Sequence, residues 1–165
     1  MALRPIRKFG DPVLRMVAEP VTAFDARLRT IVKDLLDTVD APGRAGVAAP
    51  QIGVSIRAFS YNIDGEKGYV LNPEIAELSE EQQDGEEACL SLPGLSFPTP
   101  RANYAVVKGV DLNNDPITVS GHGLMARCLQ HETDHLNGMV YIQRLPADAR
   151  REAFRQVRQQ DWFWN

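Results

Sequence analysis

The sequence predicts an α+β domain in which antiparallel or mixed β-strands surround a central metal-binding helix, with a further helix towards each end of the chain. Three observations predict it. An amphipathic stretch lies near the N-terminus, pairs of β-branched and aromatic runs separated by turn residues fill the middle, and a His-Glu-x-x-His pattern lies in a late helical segment.

The chain has 165 residues, 44% of them hydrophobic and 24% charged. That length and apolar content suit one globular unit over residues 1–165 and exclude global disorder. Eighteen basic against 22 acidic residues give a formal net charge of -4, which excludes a whole-molecule basic field of the kind that binds nucleic acid nonspecifically. No segment reaches membrane-spanning length, and no apolar stretch of signal length follows Arg4, Arg7 and Lys8, so the expected location is cytoplasmic. Two cysteines are too few for a disulfide scaffold.

From Asp25 to Asp40, residues Leu28, Ile31, Val32, Leu35 and Val39 recur three to four apart, with Asp25 as N-cap and Pro42-Gly43 as a stop, which predicts a helix. Asp64-Gly65, flanked by apolar runs from Val54 to Asn72, predicts a hairpin. A second strand pair reads from Tyr104 to Leu112 and from Ile117 to Val119 around Asn113, Asn114 and Asp115. Between them, the acidic run Glu77 to Glu87 reads as a solvated connection, and Pro93, Pro98 and Pro100 predict a rigid extended loop. Gly123 to Asn137 reads as a helix ended by Gly138. A last helix is expected over Ala147 to Gln160, with Arg150, Arg151, Arg155 and Arg158 opposite Phe154 and Val157. Sequence leaves open whether Trp162-Phe163-Trp164 folds back or meets a partner.

His131 and His135 stand four apart on that penultimate helix. Such positions lie within about 40° of each other and one turn along the axis, so both imidazoles reach one ion, and Glu132 falls where a general base belongs. His122, between Gly121 and Gly123, reads as an exposed turn residue. A catalytic site needs a third protein ligand and keeps the fourth position for water. A metzincin continuation would put histidine where Tyr141 stands, and a metalloprotease using a downstream glutamate would take Glu152. Cys128 precedes His135 by seven residues, about 10.5 Å along the axis, too far for a sulfur bonding at about 2.3 Å. With Leu124 it lies on the histidine face, where both would line an apolar pocket. Cys89 is the better candidate, because a thiolate from a separate extended segment can complete a Cys-His-His site, and its softness admits Fe2+ as well as Zn2+. An inactive or structural Cys-His-His site is the remaining alternative, and it requires a fourth protein ligand. The small residues from Ala45 to Ala49 permit close approach of a peptide or of another element, and Gln51 carries an amide N–H able to donate to a developing oxyanion.

Three segments, Ala45-Gly46-Val47-Ala48-Ala49-Pro50-Gln51, Glu87-Ala88-Cys89-Leu90-Ser91 and Gln130-His131-Glu132-Thr133-Asp134-His135, together and in this order closely resemble the motifs of the peptide deformylase family. The resemblance implies hydrolysis of the N-formyl group of newly made proteins, with release of formate. It implies one divalent ion held by Cys89, His131 and His135, Fe2+ being favoured and Zn2+, Ni2+ or Co2+ serving as substitutes. It assigns Glu132 as acid and base, and Gln51 with the Leu90 N–H as oxyanion donors. An extended substrate would lie along Ala45, Gly46 and Ala88, with Leu124 and Cys128 around the methionine side chain and Arg101 near that pocket or the peptide. Two positions depart from the pattern: Arg44 replaces its first glycine, and Ala88 the glycine before the cysteine. Implied partners are N-formylmethionyl nascent peptides and, through the C-terminal helix and tail (147–165), the ribosome, for a monomer with no membrane contact and no sequence-specific nucleic acid binding.

Overall fold

A computed structural model describes residues 3–164, so Met1, Ala2 and Asn165 of the expected 1–165 unit lie outside the described residues. Helix α1 (Ala26–Val39) follows its predicted cap, with the Asp25 carboxylate accepting from Leu28 N–H. Strands β1 (Gly46–Ala48), β2 (Ala58–Ile63) and β3 (Glu66–Leu78) come next. Asp64 and Gly65 make the hairpin turn with positive φ angles of 50° and 86°. After the short β4 (Gln82–Gln83), β5 (Glu86–Ala88), β6 (Ser96–Pro98) and β7 (Arg101–Ala102), the chain forms β8 (Tyr104–Val110) and β9 (Pro116–His122). Helices α2 (Leu124–Leu136), α3 (Ala147–Val157) and α4 (Asp161–Trp164) complete the order.

The main sheet runs β1-β2-β3-β8-β9 and is antiparallel throughout. Strand alternation divides its side chains between two helices. Val47, Ala58 and Leu71 pack with Leu28, Val32, Leu35 and Val39 of α1. Their neighbours Ala48, Phe59 and Val70 pack with Met125, Ala126, Cys128 and Leu129 of α2. Helix α2 is buried on nearly all sides, Leu124 being the exception, as expected of a central helix. Where β3 bulges against β8, an added Cβ at Gly109 would come within 2.5 Å of the Leu71 carbonyl oxygen, so glycine is required there.

The structure corrects four local expectations. The acidic run is not simply a solvated connection: it includes the end of β3, then β4 and most of β5, and Glu87 is buried. The proline-rich stretch is extended, and it supplies β6 and β7, which pair with β5 and β4 in two-stranded sheets whose edges tolerate proline. His122 is the last residue of β9 and packs on the Tyr104 ring rather than standing in a turn. The last helix stops at Val157, and α4 turns back as a separate element, with Trp162 Nε1–H donating to the Pro93 carbonyl at 3.0 Å. No helix among the described residues is long and apolar enough to cross a membrane.

Candidate metal centre

Helix α2 holds His131 and His135 one turn apart, their ring centroids separated by 5.0 Å. Cys89 follows β5, and its sulfur lies 3.3 Å from His135 Nε2. One ligand atom from each of the three residues falls within 4.8 Å of the others, and all three residues are buried. A thiolate with two imidazoles is a donor set for Zn2+ or Fe2+ and, with three protein ligands, leaves a position for water or substrate. Glu132 Oε1 is buried without a hydrogen-bond partner among the described residues, so it has capacity to spare beside this cluster, and His135 presents Nε2 to the Cys89 sulfur. These residues fit a bound divalent cation.

Glu87 orients the first histidine. Its Oε2 lies 2.6 Å from His131 Nδ1, while Arg101 donates from Nε at 2.9 Å and from Nη2 at 2.7 Å, and Arg127 Nη1 donates at 2.7 Å. Burial raises the Glu87 pKa, but the hydrogen bonds and charges of Arg101 and His131 outweigh it and hold the carboxyl far below the ordinary range. An ionised carboxylate only accepts, so His131 Nδ1 carries the proton and Nε2 is the ring nitrogen that could serve as a ligand atom. Arg101 also bonds Asp134, which Arg144 grips in turn.

Glu132 is buried against Gly46: a Cβ at position 46 would meet Glu132 Oε2 at 2.6 Å and Cys128 Sγ at 2.9 Å. The small residues of the first segment therefore admit helix α2 as well as shaping the cavity. Burial is the main reason that the Glu132 carboxyl is pushed up to about 7, with Glu87 adding to the rise and His131 opposing it. A group titrating there can both take and return a proton near neutral pH. Gln51 is held by its own backbone neighbour, since its Oε1 accepts from Ala48 N–H at 2.9 Å. This turns its NH2 towards Ser91 Oγ at 3.1 Å and Cys89 Sγ at 3.7 Å. The Ser91 N–H also donates to Cys89 Sγ.

A cavity of about 450 Å³ opens onto this cluster, lined among others by Gln51, Cys89, Leu90, His131 and Glu132. The chain matches the polypeptide deformylase family model over residues 3–151. The chain belongs to the polypeptide deformylase family. It is 57% identical over 163 residues to the peptide deformylase of Acidothermus cellulolyticus, covering 98% of this chain and 89% of that one. With peptide deformylase 1 of Corynebacterium efficiens it shares 41% over 167 residues, 99% of each. Among solved structures, the peptide deformylase of Legionella pneumophila superposes with a TM-score of 0.87 at 39% identity, over 96% of this chain and 95% of that one. That of Thermus thermophilus gives 0.88 at 37%, with the same coverage.

In this deformylase fold, Ala45, Gly46, Ala88, Leu124 and Cys128 line the same cavity as Gln51 and Glu132. Burial pushes the Cys128 thiol well up, and the protonated sulfur donates to the Ala45 carbonyl at 3.5 Å. Two sequence expectations are displaced. Arg101 does not line the cavity. It is buried with its guanidinium spent on Glu87 and Asp134, bridging two buried carboxylates that Arg127 and Arg144 also pair with. Glu152 is solvent-exposed on α3, paired with Arg155 and outside the ligand cluster, which removes the protease alternative. No fourth protein ligand joins the cluster among the described residues, as a purely structural site would require. Residue type and spacing alone do not single out Glu87 or Arg127 as site residues. Glu87 and Cys89 are two apart in an extended segment, a spacing that puts both on the same side.

Proposed function

We propose that this chain hydrolyses the N-terminal formamide of N-formylmethionyl nascent peptides, using one divalent ion held by Cys89, His131 and His135, with Fe2+ favoured and Zn2+, Ni2+ or Co2+ as substitutes. The observation that carries this reading is the gathering of those three ligands beside the unpartnered Glu132 oxygen on a cavity wall. A divalent cation there supplies Lewis acidity that polarises the formyl carbonyl and acidifies water.

Within that site, Glu132 takes a proton from the attacking water and passes it to the departing amine, so that formate and a free amino terminus leave. Gln51 Nε2–H and the Leu90 N–H donate to the formyl oxygen as it gains charge; the Leu90 N–H makes no hydrogen bond of its own among the described residues. Leu124 and Cys128 receive the methionine side chain. The peptide backbone runs past Ala45, Gly46 and Ala88. Formate is small, which suits the small residues of the first segment.

We assign the activity to a cytoplasmic monomer, where formylated chains emerge. The exposed Arg150, Arg151 and Arg155 of α3, with Arg158 just after it, support contact with ribosomal RNA. The chemistry is tested by turnover of a formyl-methionyl dipeptide with anaerobically purified protein and metal analysis of the same sample. Release of formate in proportion to bound metal is expected, and metal-loaded protein that releases none overturns the reading. Ribosome cosedimentation that persists after deletion of residues 147–165 overturns the docking assignment.

A further inference from the structure

The cavity at the metal cluster continues over the surface. A neighbouring depression of about 540 Å³ shares Arg44, Leu90 and Pro93 with it and adds Arg4 and Lys8. Three cations and no carboxylate line this depression among the described residues, although the whole chain carries a net charge of -4. The cations differ in availability. Arg4 is offset by Asp34, 3.0 Å from its Nη1. Arg44 Nη1 donates to the neutral Thr38 carbonyl at 2.9 Å, which pins the side chain at the junction of the two hollows, and no carboxylate among the described residues forms an ion pair with it. Lys8 is exposed and lines the same depression. Glu86 is a carboxylate on the main cavity, but it does not line the depression.

Resting on the deformylase reading, we propose that the residues following the formylmethionine run across Arg44 into this depression, and that the site favours formylated peptides carrying carboxylates two to three residues after the methionine. The formyl group occupies the ligand cluster, and the methionine side chain occupies the wall of Leu124 and Cys128. The open way for the rest of the chain is then past Arg44, Leu90 and Pro93, which line both hollows. Arg44 stands where the family pattern has glycine, so the cation at the junction is a feature of this chain. Exposed charge pairs are individually weak and screened by salt, so the preference is modest and ionic-strength dependent.

The test compares kcat/KM of metal-loaded protein for formyl-Met-Ala-Glu-Glu, formyl-Met-Ala-Gln-Gln and formyl-Met-Ala-Lys-Lys at low and high salt. At low salt the acidic peptide is expected to exceed the neutral one by about three- to tenfold, the basic one falling below both. High salt, or Arg44→Gln combined with Lys8→Gln, brings the acidic-to-neutral ratio towards one. Equal values for all three peptides, or a preference indifferent to both salt and the double substitution, overturn this proposal while leaving deformylation standing. Turnover of none of them removes the deformylase reading, and the proposal with it.

Discussion

Glu87 of β5 and His131 of α2 are 44 residues apart in sequence, yet Oε2 of one lies 2.6 Å from Nδ1 of the other. The same carboxylate receives Arg101 and Arg127, so one buried anion orients a candidate metal ligand and pairs with two guanidinium groups. Glu87 is a positioning residue. Glu87→Gln keeps the shape and removes the charge, leaving buried Arg127 without a carboxylate partner among the described residues and Arg101 with Asp134 alone. Stability should fall by about 3 kcal/mol in denaturant titration. Metal affinity, followed by chelator competition, should weaken about 10- to 100-fold. Unaltered metal affinity would confine Glu87 to a role in the fold.

Cys89 and Glu152 separate the two ligand schemes. Cys89→Ser should lose bound metal on dialysis against a weak chelator, because a neutral hydroxyl replaces a thiolate in the triad. Glu152→Ala, altering an exposed side chain that pairs with Arg155, should retain metal content and turnover at the level of the parent protein.

Gln51 touches the cluster only through weak contacts to sulfur and is anchored by Ala48 and Ser91. Gln51→Ala should therefore hold its metal while kcat falls about 10²- to 10³-fold, the usual cost of one oxyanion donor. Metal content and single-turnover rates on one sample decide it; a normal rate removes Gln51 from the chemistry.

Gly46 carries a steric prediction. A methyl there meets the Glu132 carboxylate and the Cys128 sulfur at less than 3 Å, so Gly46→Ala must displace Glu132 or helix α2. We expect a stability loss of about 1–3 kcal/mol by thermal unfolding. Turnover should be depressed even where metal content is normal, since the three ligands lie elsewhere. Ala45→Gly, one position earlier, serves as the control for chain flexibility in the same segment.

What could be read from the chain alone was encoded within a few residues. The Asp25 cap, the period of α1, the Asp64-Gly65 turn and the one-turn spacing of His131 and His135 each depend on local geometry, and each appears where it was expected. The likeness of three ordered motifs carried the candidate triad further than spacing did. Only the tertiary structure brought the Cys89 sulfur to His135 across 46 residues, buried Glu87 in what read as a solvated acidic run, and turned Arg101 inward to Glu87 and Asp134. It also closed the tail, through Trp162 on the Pro93 carbonyl. A charged side chain is buried or exposed according to whether a distant segment delivers its counter-charge, and no local pattern records that delivery.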